Sequence, residues 1–97
     1  MPASRRRSAT EASDVNPYAR AAEQRLRLDR RDPDALFARA AFLARGGNLE
    51  AAALTLNRLC EIDPDYPGLW RFLARLYREI GDDRLRDLCL ARATMTG

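Results

Sequence analysis

The sequence predicts an all-α fold, built as a stack of antiparallel helix pairs with about five helices. The main observation is that two segments of the chain read alike when one is shifted by 34 residues. Each predicts a helix, a glycine break and a second helix, and neither shows a strand pattern. A repeat of this period is typical of a helical solenoid, in which neighbouring units bury each other's apolar faces. The aligned pairs are Leu36 with Trp70, Ala40 with Ala74, Leu43 with Tyr77, Gly47 with Gly81, Leu56 with Leu90, and Leu59 with Ala93.

The chain is predicted to open with a disordered tail over residues 1–15, because this stretch is small, polar and charged and carries Arg5, Arg6 and Arg7. A helical domain over 16–97 follows. Asn16 and Pro17 start a leading helix over 16–30, since a capping residue followed by proline is a helix start signal. This helix looks like the second half of an incomplete repeat that shields the open end of the first unit.

The first unit is predicted over residues 33–63. Asp32 and Pro33 repeat the start signal, and Gly46-Gly47 ends the helix, since glycine readily takes the left-handed conformation. Asn48 is then expected to cap a third helix, whose buried face carries Leu56 and Leu59. Asp63-Pro64 ends that helix.

The second unit is predicted over residues 66–95. Its first helix runs from about Gly68 to Ile80, and Gly81 ends it. Asp82 or Asp83 caps the fifth helix, which runs to about Thr94. Trp70 is expected to be buried as an anchor of the core between the two units.

The repeated positions resemble the tetratricopeptide repeat. The matching residues are Trp70, Leu73, Ala74, Tyr77, Gly81, Leu90 and Ala93 in the second unit, and Leu36, Ala40, Leu43, Gly47, Ala52, Leu56 and Pro64 in the first. The resemblance implies a right-handed stack of helix pairs and a non-catalytic scaffold or adaptor that binds other proteins. Arg39 departs from the preferred leucine and Arg86 from the preferred alanine. The resemblance therefore leads us to expect a last helix that is rotated, displaced or packed on something else.

Composition argues against an enzyme. The chain has no histidine, so no Ser-His or Cys-His nucleophile can form. The carboxylate pairs, such as Asp82-Asp83, stand at helix boundaries where capping explains them. Cys60 and Cys89 lie among leucines and read as small buried side chains, and their spacing fits no metal motif. We therefore expect neither a metal nor a cofactor.

A basic concave groove is the first candidate site. In the register of the family, the first helix of each unit lines this groove, and Arg71, Arg75 and Arg78 share one helix face. Such a groove would suit a protein partner or an acidic peptide, because arginine binds carboxylates through paired hydrogen bonds. The alternative is that the arginine stripe is only a solvated charged face. The predicted groove residues are Phe37, Ala41, Ala44, Arg45, Arg71, Phe72, Arg75 and Arg78.

The last helix is the second candidate, with Leu85, Leu88 and Leu90 as a predicted interface. Its apolar residues fall into two clusters, Leu85 with Leu88 and Cys89, and Leu90 with Ala93. One cluster can face the fourth helix and the other would be left partly open. This pattern favours a homodimer or docking into a larger complex, unless the helix simply rolls to bury most of its leucines.

Net charge and hydropathy set the remaining expectations. The net charge is +3 and much of the excess lies in the tail, which makes nucleic-acid binding a weaker alternative. No stretch resembles a secretory signal or a membrane span, so a cytoplasmic location is expected. All 17 basic residues are arginine, a composition typical of a GC-rich bacterial-type genome.

Overall fold

The computed structural model describes residues 16–96, which form five α-helices and contain no strand. The helices are α1 (Pro17–Leu28), α2 (Pro33–Arg45), α3 (Leu49–Ile62), α4 (Leu69–Ile80) and α5 (Asp83–Thr96). The predicted tail over 1–15 lies outside the described residues. The all-α stack of helix pairs predicted from the repeat is confirmed.

Local sequence signals account for the helix starts. The Asn16 side chain accepts hydrogen bonds from the backbone N–H groups of Tyr18 and Ala19, at 3.0 and 3.1 Å. Asp32 caps α2 by accepting from Ala35 N at 3.1 Å. Asp82 caps α5 by accepting from Leu85 N at 3.0 Å, which decides between the two predicted aspartates. Asn48 precedes α3 as predicted, but its side chain makes no capping hydrogen bond.

The turns between helices have the same conformation in both units. Gly47 and Gly81 both take a left-handed φ, of 85° and 99°, and each is followed by a residue whose N–H returns to the preceding helix at 2.8 Å. The links before α2 and α4 are also alike, because Asp29 and Asp63 each accept a hydrogen bond from the backbone N–H two residues on. The α1–α2 link thus copies the α3–α4 link, which indicates that α1 corresponds to the second helix of a repeat.

The helices pack in chain order, α1 on α2, α2 on α3, α3 on α4 and α4 on α5, in a body of 53 × 32 × 16 Å. Alanines allow the helices to approach closely at the crossings, and leucines fill the layers between them. The largest fully buried side chains are Leu36, Leu56, Leu59, Leu69, Leu73 and Leu76.

Trp70 is not the buried anchor that the sequence predicts. Leu69 takes the fully buried position, whereas Trp70 is only half-buried at the edge of the core. The indole Nε1–H donates to the Pro64 carbonyl at 2.7 Å, and the Arg92 guanidinium lies 4.5 Å from the ring centroid. A polar partner and a cation therefore hold the indole at the surface.

The two arginines that depart from the family pattern are accommodated through ion pairs. Arg39 reaches back to Glu23 on α1, with Nε 2.8 Å from Oε2. Arg86 pairs along its own helix with Asp83 and Asp87, at 3.3 and 2.9 Å. With Arg86 held in this way, α5 packs against α4 without needing a small residue at that position.

Candidate partner-binding groove

The first helices of the two units meet through aromatic rings. The Phe37 ring lies 5.5 Å from the Phe72 ring in an edge-to-face arrangement, and 5.0 Å from the Tyr66 ring. Such pairs stabilise a contact beyond the apolar area that they bury. The three rings therefore fix how α2 and α4 lie beside each other and form one end of the groove.

A cavity of about 190 Å³ lies beside these rings between α2 and α4. Ala41 and Ala44 keep the α2 wall low, and Phe72 and Leu76 supply the apolar part of the α4 wall. The remaining lining is charged, from Arg45, Arg75 and Glu79. The arrangement offers a small apolar floor with charged groups at its margin.

The charges of the groove partly cancel. The Arg75 guanidinium lies 5.6 Å from the Phe72 ring centroid, and its Nε is 3.8 Å from Glu79 Oε2. Both side chains of this pair are largely exposed, so the pair adds little to stability. Arg45 makes no ion pair with any residue between 16 and 96. Of the two groove cations, Arg45 therefore has no ion-pair partner among the described residues, and Arg75 is paired with Glu79.

Six of the eight predicted groove residues lie together in the structure, namely Phe37, Ala41, Ala44, Arg45, Phe72 and Arg75. Arg71 instead lines a separate cavity of about 290 Å³ beside Tyr66, Pro67 and Trp70. Arg78 is exposed near the end of α4. The groove face of α4 carries Phe72, Leu76 and Glu79, and at about 100° per residue Arg75 lies at the edge of that face. Arg71 and Arg78 lie farther round the helix, on a face turned away from the groove, so only one arginine of the stripe lines it.

Tyr66 is a groove residue that the sequence prediction missed. Its hydroxyl donates to Asp34 Oδ1 at 2.6 Å and links the start of α2 to the loop before α4. Burial, together with the Asp34 carboxylate, raises the pKa of Tyr66 to about 12. An aromatic residue in a proline-containing link between two units was the available signal.

The leucines of α5 do not form one surface. Leu85, Leu88 and Leu90 are 36%, 54% and 46% exposed. The buried face of the helix carries Cys89 and Ala93, one residue from each predicted cluster. Neither cluster is thus buried as a unit, and at about 100° per residue Leu85 and Leu88 flank that face on one side and Leu90 on the other.

Among residues 16–96, no three potential metal ligands cluster together, and no helix is long and apolar enough to cross a membrane.

Comparison with known proteins bears on the fold. No curated protein matches the chain. The sequence model of the tetratricopeptide repeat matches residues 33–76, which span α2, α3 and most of α4. The matched segment contains the helix pair and the left-handed glycine turn that recur in the second unit, and an aspartate link like the one between α1 and α2. Residues 33–76 therefore match the tetratricopeptide repeat.

Proposed function

We propose that the protein is a non-catalytic interaction module, a scaffold or adaptor that holds a segment of a partner protein in the groove between α2 and α4. The family that residues 33–76 match generally binds proteins and generally lacks catalysis. The single observation that carries the proposal is the cavity of about 190 Å³ with an apolar floor and a charged margin. A cytoplasmic location is part of the same proposal, and it fits the two free cysteines.

The groove suits a segment that presents one apolar side chain beside one carboxylate. The apolar side chain would lie against Phe72, Ala41 and Ala44, and the carboxylate would reach Arg45 and Arg75. Charge-assisted hydrogen bonds to arginine are stronger than neutral ones, so they would set the orientation of the segment. The Glu79 carboxylate would repel a second carboxylate of the bound segment. The groove therefore favours a modestly acidic partner over a highly acidic one.

Capture of partner proteins from the host tests whether they bind the groove or the outer arginine face, which carries Arg71 and Arg78. We expect the Arg45→Ala/Arg75→Ala variant to lose the captured protein, because both changes remove groove cations. The matched control is Arg71→Ala/Arg78→Ala, which removes the same charge from the face that points away from α2 and should capture normally. A photo-crosslinking residue placed at Ala41 should react with the same protein. Equal capture by both double variants, or equal loss, would overturn the proposal.

Assembly through α5 is a second candidate, as a homodimer or as an accessory subunit of a larger complex. The observation in its favour is that Leu54 and Leu88, which stand 34 residues apart in the two units, are both exposed, at 66% and 54%. Together with Leu85 they place apolar surface on the second helices of both units. Exposed apolar residues that recur on one side of a protein are typical of an interaction surface.

A further inference from the structure

Two adjoining cavities lie on the side of α2 away from the groove, where α1, α2 and α3 meet. Their volumes are about 210 and 490 Å³. Arg30, Leu36 and Arg58 line both of them, and the carboxylates of Asp29 and Glu61 also line the larger one. The smaller cavity is referred to below as the arginine cavity.

The arginine cavity carries a marked excess of positive charge. Four arginines line it, Arg27, Arg30, Arg39 and Arg58, against one carboxylate, Glu23. Four positive charges less one negative charge leave a formal excess of three. The chain as a whole has a net charge of +3, so the excess in this one cavity equals that of the whole chain.

The single carboxylate is already engaged. Glu23 accepts hydrogen bonds from Arg39, and this bonding lowers the pKa of Glu23, so the carboxylate remains ionised and paired. Arg30 and Arg58 make no ion pair with a residue of the described part of the chain. Five arginines and three carboxylates line the two cavities together, so positive charge remains in excess, and an anion placed between the arginines would relieve their repulsion.

We propose that the arginine cavity binds a phosphate monoester in its dianionic form. The dianion has three terminal oxygens, and three guanidiniums, those of Arg27, Arg30 and Arg58, remain to receive them. A carboxylate has only two oxygens in one plane, so it could engage fewer of these groups. The apolar side chains of Leu26 and Leu36 form the wall behind the arginines, where water is less able to compete.

Titration of the full chain with inorganic phosphate at constant ionic strength tests the site. Binding is followed by the NMR signals of the arginine Nε–H groups. We expect saturable shifts at Arg27, Arg30 and Arg58, and about tenfold weaker binding in Arg30→Gln and in Arg58→Gln. The matched control, Arg84→Gln, removes one exposed arginine from α5 and should leave the affinity unchanged. Equal weakening in all three variants would overturn the site, as would the absence of saturation in the wild type.

The pH dependence gives an independent readout. Phosphate monoesters lose their second proton with a pKa of about 6. The chain has no histidine, so no side chain of unperturbed pKa titrates in this range. With a capped phosphoserine peptide as the probe, we expect binding to tighten as the pH rises through about 6. An affinity that stays constant across this range would overturn the preference for the dianion.

Two sources of the phosphate can then be separated. A capped phosphoserine peptide and a nucleoside monophosphate are compared with inorganic phosphate in the same titration. Tighter binding of the peptide would identify a phosphorylated protein as the source, and tighter binding of the nucleotide a small metabolite. Equal affinity for all three would mean that the cavity takes the phosphate group itself, and failure of both esters to bind would overturn the assignment to a monoester. The groove between α2 and α4 plays no part in these outcomes.

Discussion

Leu69 and Trp70 are neighbours in sequence with different surroundings. Leu69 is fully buried at the start of α4, whereas Trp70 lies at the edge of the core with its Nε1–H bonded to Pro64. The 34-residue alignment pairs Trp70 with Leu36, which is buried. It therefore predicts a buried Trp70 and does not reveal that Leu69 takes the buried position. The packing depends on how α5 approaches, since Arg92 of that helix lies over the indole.

We expect Leu69→Ala to lower the free energy of unfolding by about 2–5 kcal/mol, because it leaves a cavity in the core. Trp70→Phe should cost about 1 kcal/mol, because a smaller aromatic ring stays in the half-buried site while the hydrogen bond to Pro64 is lost. Urea unfolding followed by far-ultraviolet circular dichroism measures both. A larger loss in Trp70→Phe than in Leu69→Ala would restore tryptophan as the anchor.

The Glu23–Arg39 pair joins α1 to α2 and should make stability depend on pH. The pKa of Glu23 is lowered in the folded chain, chiefly by the hydrogen bond from Arg39, below its ordinary value of 4.5. The pair therefore stabilises the fold above that value, and its contribution is lost as the pH falls through the folded-state pKa. Because the pair is partly exposed, Glu23→Gln should cost less than about 1 kcal/mol at neutral pH.

Thermal unfolding across a pH series checks this dependence. The difference between the wild type and Glu23→Gln should be present at neutral pH and shrink under acid. Asp65→Asn, which removes an exposed carboxylate in the link before α4, controls for the loss of one charge. A difference that persists unchanged in acid would contradict the role of the pair.

At the scale of elements, the helix boundaries follow from local chemistry and were predictable. Proline, glycine and capping residues affect the backbone within a few positions of where they lie. The helix boundaries that they set can therefore be predicted from the sequence alone. The lining of the groove was only partly predictable. Whether Arg75 or Arg78 faces α2 depends on how α4 is rotated against its neighbours, and the contact of Phe37 with Phe72 and Tyr66 settles that rotation.

Asn48 and Asp82 stand 34 residues apart at equivalent helix starts, and only Asp82 caps its helix with a side-chain hydrogen bond. We expect Asp82→Ala to lower the free energy of unfolding by about 1 kcal/mol, and Asn48→Ala to change it by much less. Urea unfolding of the two variants is the measurement. Equal losses would mean that helix starts in this fold do not depend on the side-chain bond.

At the scale of the whole molecule, the exposed leucines of the second helices bear on assembly. If Leu88 takes part in self-association, the apparent mass should rise with concentration in light scattering, and Leu88→Glu should remove the rise. Leu54→Glu tests whether the first unit joins the same contact. A wild type that stays monomeric over the whole series, with no partner lost in Leu88→Glu, would contradict the second candidate function.

The charged cluster on α5 has a consequence for the growth of the stack. In the first unit, α3 is packed between α2 and α4, and its Ala52 and Ala53 are both buried. The equivalent positions on α5 are Arg86 and Asp87, which form an ion pair at the surface. A repeat protein whose two ends matched could polymerise head to tail into a fibre, because such a contact does not close on itself. A copy that packed end to end over Arg86 and Asp87 would have to desolvate this ion pair, which disfavours head-to-tail polymerisation but leaves a contact through Leu85 and Leu88 open.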